Sequence, residues 1–316
     1  MFNAIILIVA GFFLLLKGAD FLVGGASSLA KRLGVSSLIV GLTVVALGTS
    51  MPELVVNVFA AIQKTGGIAI GNVIGSNIAN IALILGVAAI ITPMRVQSST
   101  IWKEIPFALL GVVLLFIMAS DVLLDDMPAN IIGRADGLIL LSFLIIFLYY
   151  IFGLFKNGKS DLDDVPEMSY PKMAVMIVGG ILMLVLGGRL VVDNAVLLAG
   201  MLGISSRVIG LTVVAFGTSL PELATSVVAA LKNRIDLSVG NIVGSNILNI
   251  FLVLGVSTSI MPLSFSERAV VDTLVNILFT AMLFVFMFIG QRHILQRWQG
   301  FSFLALYVVY IGALFI

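Results

Sequence analysis

Residues 34–54 read GVSSLIVGLTVVALGTSMPEL, and residues 203–223 read GISSRVIGLTVVAFGTSLPEL. Fifteen of these 21 positions are identical. A second pair, GNVIGSNIANIALILG at 71–86 and GNIVGSNILNIFLVLG at 240–255, shares 11 of 16 positions at the same offset of 169. Apolar stretches resemble one another by composition alone. Composition does not keep Gly, Thr, Ser, Pro, Glu and Asn in register twice, so the chain is an internal duplication.

The chain has 316 residues, 60% hydrophobic and 10% charged. A soluble domain carries roughly 25% charged residues, so lipid is the natural solvent here. The net charge of +1 gives no field that would favour nucleic acid. There is no Cys, which excludes disulfides and thiolate metal sites. A helix needs about 20 apolar residues to cross the hydrocarbon core. Ten such stretches are predicted, at 3–30, 36–62, 69–92, 104–120 and 131–155, then at 172–200, 205–231, 237–262, 269–290 and 299–316. The first is expected to be a retained span, because no basic residue precedes its apolar run.

The predicted organisation is all-α: a first five-helix repeat at 1–155, a polar linker at 156–171 and a second five-helix repeat at 172–316. Lys31, Arg32, Arg95, Lys103, Lys156, Lys159, Lys172, Lys232, Arg234, Arg292 and Arg297 fall on one side, against only Lys64, Arg134, Arg207 and Arg268 on the other. The richer side is expected to face the cytoplasm. The linker then lies inside and both termini lie outside, in a multi-pass protein of the cell membrane. Five spans is an odd number, so the second copy enters from the opposite side. That is an inverted-topology repeat, which supplies two conformations of similar energy, each open to one side.

Glu53 and Glu222 stand inside otherwise apolar spans, with no Lys or Arg in the same segment. A carboxylate at mid-membrane costs about 2.5 kcal/mol or more, and a bound cation is the obvious compensation. Pro52 and Pro221 remove a backbone donor, which is expected to leave carbonyls near Ala46 and Ala215 without intrahelical partners and to make the second and seventh helices discontinuous. Thr49, Ser50, Thr218 and Ser219 add hydroxyls. Ser76 and Asn80 are four apart and share a helix face, as do Ser245 and Asn249. Asn72, Asn77, Asn241 and Asn246 are expected to bond the broken backbone of the neighbouring span. Gly71, Gly75, Gly240 and Gly244 are expected to allow close helix contact.

Carboxylate, hydroxyl, amide and carbonyl oxygens without sulfur or imidazole suit Ca²⁺, Na⁺ or Mg²⁺. Ca²⁺ accepts six to eight oxygens in flexible geometry, whereas Mg²⁺ dehydrates reluctantly. Two carboxylates neutralise one Ca²⁺, and several Na⁺ could share the same oxygens. Competition for shared ligands gives exchange. A cation channel lined by the same residues is the alternative of another class. An intramembrane enzyme is disfavoured, since no His, Cys or metal-ligand triad assists the carboxylates. The sequence GxxxxGK[ST] is also missing.

The strings GTSMPE and GTSLPE, with GNVIGSNIAN and GNIVGSNILN, resemble the α-repeats of the calcium/cation antiporter superfamily, in particular prokaryotic sodium/calcium exchangers. The likeness extends over the ten-span layout. It implies 5+5 inverted repeats with Ca²⁺ and Na⁺ as transported ions, no cofactor and no obligate protein partner. It carries liganding onto Ala46, Thr49, Ser50, Glu53, Ser76 and Asn80, and onto Ala215, Thr218, Ser219, Glu222, Ser245 and Asn249. It also implies that the long first and sixth spans slide against the bundle. One departure concerns Asn249, where such exchangers often have Asp; here both repeats carry Asn. That bears on the Na⁺ stoichiometry: the expected activity is Ca²⁺/Na⁺ exchange, with H⁺- or K⁺-coupled exchange as the alternative, and the lack of an acid in either GN segment argues against H⁺.

Further charges accompany the spans. Lys17 and Asp20, and Arg189 and Asp193, are spaced to pair on a helix face. Trp102, Trp298, Tyr149 and Tyr150 fit interfacial anchoring. His293 sits in a basic stretch as a solvated loop residue, and the linker acids Asp161, Asp163, Asp164 and Glu167 lack EF-hand spacing.

Overall fold

The computed structural model describes residues 2–63, 65–124, 126–157, 165–201 and 217–314. The chain is helical. Its first half runs α1 (Phe2–Leu33), α2 (Ser37–Thr49), α3 (Met51–Ile62), α4 (Gly66–Ile91), α5 (Thr100–Met118) and α6 (Arg134–Asn157). Its second half runs α7 (Tyr170–Met201), α8 (Leu220–Leu231), α9 (Ile235–Ile260), α10 (Glu267–Phe286) and α11 (Arg297–Ala313). Among the described residues, seven helices are long and apolar enough to cross a membrane. They become eight if α2 and α3 count as one bent span.

Two short antiparallel ribbons tie loops of the two halves. β1 (Met94–Arg95) pairs with β4 (Ile294–Leu295), and β2 (Asn130–Ile132) pairs with β3 (Leu263–Phe265). Ser266 caps α10 by accepting from Ala269 N, so the chain turns from β3 directly into that helix.

Helices α4 and α9 form the centre. In the most apolar window of α9, 89% of the residues are buried, against 17% for α6. Their Gly-, Ser- and Asn-rich sequence explains this, since small side chains let other backbones approach. A Cβ on Gly240 would stand 2.7 Å from the Leu38 carbonyl and 3.0 Å from Leu42 N. Helix α9 is thus seated on the backbone of α2. At the periphery, α1 and α7 pack along each other in opposite directions, with Gly18 against Gly180 and Gly11 against Gly187.

The predicted discontinuity in the second span is present. Helices α2 and α3 meet at Ser50 with a bend of 46°. Ser50 has φ −84° and ψ 4°, and Ser219 at the start of α8 has φ −85° and ψ 2°. Pro52 and Pro221 stand at the second position of the helices that follow, where their missing N–H is tolerated. The sequence expectation for Ala46 is corrected: its carbonyl accepts from Ser50 N at 2.9 Å. The residue four before Pro52 is Gly48, and that carbonyl is the one the proline deprives of a donor.

Wide π-turns occupy Gly41–Val45, Ala79–Leu85, Thr100–Glu104 and Asn249–Leu254. Two of them begin at or beside Asn80 and Asn249, consistent with the frequent place of such turns at functional sites.

Candidate cation-binding site

Glu53 lies in the first turn of α3 and Glu222 in the first turn of α8. Both are fully enclosed, at 0% and 1% exposure. Each carboxylate thus belongs to the turn at the positive dipole end of its helix, which favours negative charge. The remaining oxygens come from the neighbouring helices. Ser50 Oγ donates to Glu222 Oε1 at 3.3 Å, which links the broken span of one half to the carboxylate of the other. Ser219 Oγ bonds Ser76 Oγ at 3.2 Å, and Ser76 Oγ stands 3.5 Å from Glu53 Oε1. Thr49 Oγ1 donates to Asn241 Oδ1 at 3.0 Å and lies 3.5 Å from Ser245 Oγ. Thr218 Oγ1 donates to Asn72 Oδ1 at 3.1 Å.

Four buried oxygens in this cluster have no hydrogen-bond partner among the described residues: Glu53 Oε2, Glu222 Oε2, Asn80 Oδ1 and Asn249 Oδ1. Unpaired buried polar atoms are costly and rare in native proteins. Here they occur as two pairs, each pair related by the repeat offset of 169. A hard cation is the partner such a set of oxygens fits. Among the described residues, no three His, Cys, Asp or Glu side chains gather in one place. The charge of the cluster is therefore that of two carboxylates, surrounded by neutral oxygens.

Thr49, Ser50, Glu53, Ser76, Thr218, Ser219, Glu222 and Ser245 are joined by these contacts. Asn80 and Asn249 enter the cluster through Asn246 and Asn77. Ala46 stands beneath Thr49, and Ala215 lies outside the described residues. The four remaining asparagines do not serve the broken backbone, as the sequence suggested. Asn72 and Asn241 bond side chains, with Asn72 Nδ2 donating to Asn57 Oδ1 at 2.8 Å and Asn241 Nδ2 to Ser226 Oγ at 2.9 Å. Asn77 and Asn246 each donate to the other's backbone carbonyl.

Sequence reasoning missed Asn57 and Ser226. They are polar residues at matching repeat positions within apolar runs, which is the signal that could have found them. Asp20 pairs with Lys232 Nζ at 2.5 Å rather than with Lys17, while Arg189 and Asp193 meet at 3.6 Å on an exposed face. His293 lies in the turn before β4 with φ 63°, edge-on to Phe288. The linker acids Asp161, Asp163 and Asp164 fall outside the described residues. Trp102 and Trp298 are half exposed near the β1–β4 ribbon.

Comparison with known proteins follows the same two halves. Residues 3–153 and 172–316 match the family described as "Sodium/calcium exchanger protein". The chain belongs to the sodium/calcium exchanger family. As a member it is a multi-pass membrane protein and a sodium/calcium exchanger-type cation antiporter, from a family of transporters rather than enzymes. It is 33% identical over 343 residues to the sodium/calcium exchanger MaX1 of Methanosarcina acetivorans, covering 98% of each chain. It is 37% identical over 297 residues to the inner membrane protein YrbG of Escherichia coli, covering 89% of each. The solved exchanger NCX_Mj, soaked with 2.5 mM Na⁺ and 0.1 mM Ca²⁺, superposes with a TM-score of 0.84 at 36% identity, over 99% of this chain and 98% of that one.

Proposed function

We propose that this exchanger moves Ca²⁺ against Na⁺ across the cell membrane by alternating access, with both ions competing for the Glu53–Glu222 cluster. The observation that carries the proposal is the set of four enclosed, unpartnered oxygens contributed equally by the two repeats. Thr49, Ser50, Ser76, Thr218, Ser219 and Ser245 complete the ligand set, together with the second lone pair of the Ala46 carbonyl, whose first accepts from Ser50 N, and its repeat counterpart Ala215. Two carboxylates match the charge of one Ca²⁺.

The topology proposed is ten spans in two inverted repeats, 1–155 and 172–316, joined by a cytoplasmic linker at 156–171. Contacts that swap partners at the offset of 169 support it. Gly11 meets Gly187 as Gly18 meets Gly180, and the Asn77–Asn246 contact maps onto itself. Helix α1 ends in Lys31 and Arg32, which donate to the carbonyls of Val165 and Met168, so the linker is fastened to the basic end of that helix.

The two entrances are unequal. Helix α1 packs along α8 and is joined to its end by the Asp20–Lys232 pair, whereas α7 makes no comparable packing with α3. Gly71 is exposed and Asn72 half-buried, while their repeat counterparts Gly240 and Asn241 are buried. These differences support a state closed at the cytoplasmic end and open at the outer end. A partly exposed ion pair contributes about 0.2–1 kcal/mol, a factor of up to about five in a two-state population. Asp20→Asn is therefore expected to shift the population inward by up to about fivefold. With no native Cys to interfere, this can be read as slower labelling of Gly71→Cys by an impermeant maleimide added outside. Faster labelling would contradict the assigned latch.

The test of the proposal is ⁴⁵Ca²⁺ uptake into proteoliposomes with Na⁺, K⁺ and H⁺ gradients imposed one at a time. Uptake is expected only with an outward Na⁺ gradient. Uptake driven by K⁺ or H⁺ alone would replace the driving ion, and uptake without any counter-gradient would indicate a channel.

A further inference from the structure

Asn80 and Asn249 offer a cation the oxygen of an amide, and an amide presents either its oxygen or its nitrogen. Something must decide which. Asn246 Nδ2 donates to the backbone carbonyl of Asn77 at 3.3 Å, and Asn77 Nδ2 donates to the backbone carbonyl of Asn246 at 3.2 Å. A carbonyl only accepts, so each of these amides has its nitrogen committed. Each Oδ1 is thereby turned the other way, where it meets the neighbouring amide. Asn80 Nδ2 donates to Asn246 Oδ1 at 2.9 Å, and Asn249 Nδ2 donates to Asn77 Oδ1 at 3.0 Å. The Oδ1 atoms of Asn80 and Asn249 are left buried and without partners among the described residues.

From this chain of forced orientations, and resting on the cation reading of the cluster, we infer that Asn77 and Asn246 are positioning residues that aim the Asn80 and Asn249 oxygens at the ion. Each acts across the interface between α4 and α9, so each repeat sets the ligand of the other. The arrangement also selects what stands at 249. Asn77 Oδ1 requires a donor 3.0 Å away. An ionised Asp at 249 would set oxygen against oxygen there, and turning Asn77 to relieve it would give up the bond to the Asn246 carbonyl. An amide at both 80 and 249 keeps the charge of the site at its two glutamates.

The experiment is a double-substitution cycle read by the KM and maximal rate of ⁴⁵Ca²⁺ uptake in Na⁺-loaded proteoliposomes. Asn246→Leu is expected to raise KM about tenfold with little change in maximal rate per folded protein. In an Asn80→Ala background it is expected to raise KM no further, because the ligand it aims is already gone. In an Asn249→Ala background its effect should persist. Asn77→Leu should show the mirrored pattern, silent with Asn249→Ala and additive with Asn80→Ala. Where a leucine variant does not assemble in detergent, Asn246→Ser and Asn77→Ser shorten the reach of the acceptor and carry the same expectation. Equal effects in both backgrounds, or a loss of maximal rate with KM unchanged, would overturn the positioning role. An Asn80→Ala variant with the parent KM would instead overturn the cation site itself, and the inference with it.

Discussion

Replacing Glu53 or Glu222 by Gln is expected to abolish Na⁺-driven Ca²⁺ uptake. Gln keeps the shape and one oxygen but removes half the charge of an enclosed site. Ca²⁺ must leave its hydration shell to enter, and the remaining −1 charge no longer offsets that loss. Removing one member of a buried charge pair costs about 2–5 kcal/mol, so uptake should fall by roughly 30-fold at the least. A second readout moves in the opposite direction. In the ion-free protein the two carboxylates are buried without a cationic partner among the described residues, which is unfavourable. Either Gln variant should therefore raise the melting temperature of ion-free protein while losing the further rise that Ca²⁺ gives the parent. Parental ⁴⁵Ca²⁺ uptake by either variant would sink the assignment of these glutamates as the charge centre.

Gly240→Ala is expected to be severe and Gly71→Ala mild, although the two glycines occupy the same repeat position. A methyl on Gly240 would press on backbone atoms of Leu38 and Leu42, which cannot swing away. Such overpacking costs about 1–3 kcal/mol, and it would part α9 from α2 beside the Thr49–Asn241 hydrogen bond. We expect a melting temperature lower by several degrees and exchange reduced at least about tenfold. At Gly71 nothing among the described residues lies within 4 Å of the added carbon, and the residue is exposed. Its Ala variant should retain most of its exchange. Thermal unfolding and ⁴⁵Ca²⁺ uptake on both variants decide the matter, and equal effects would contradict the unequal entrances described above.

The duplication was the most legible feature, because apolar composition alone does not hold polar residues in register across two runs. It led to Glu53, Glu222 and their hydroxyl neighbours, which the structure gathers into one cluster. The break at Ser50 was also legible, since Pro two residues later and Gly two before disfavour a continuous helix. Which carbonyl is freed was not. Ser50 N still reaches Ala46 across the bend, so the effect of Pro52 moves to Gly48. The roles of Asn77 and Asn246 were hidden because they depend on contacts between helices 169 residues apart, which no local spacing encodes. The partner of Asp20 was hidden for the same reason: Lys17 is near in sequence, but Lys232 is near in space. The π-turns at Asn80 and Asn249 left no mark in the apolar pattern either.

The two β-ribbons are distributed unevenly. β1–β4 clasps the loop between α4 and α5 to the loop between α10 and α11, and β2–β3 clasps the loop between α5 and α6 to the one between α9 and α10. Every helix from α4 to α6 and from α9 to α11 is thus clamped at one end or both. Helices α1 and α7 are clamped by neither. Their contact with each other seats glycines of one helix against the backbone and side chains of the other, as Gly11 meets Val191 and Gly18 meets Met183. The ribbons thus join six helices into one frame, with α1, α2, α3, α7 and α8 outside it. If α1 and α7 slide to switch sides, as the proposed alternating access requires, Ser76, Asn80, Ser245 and Asn249 ride on clamped helices, while Glu53 and Glu222 stand on α3 and α8, which no ribbon holds.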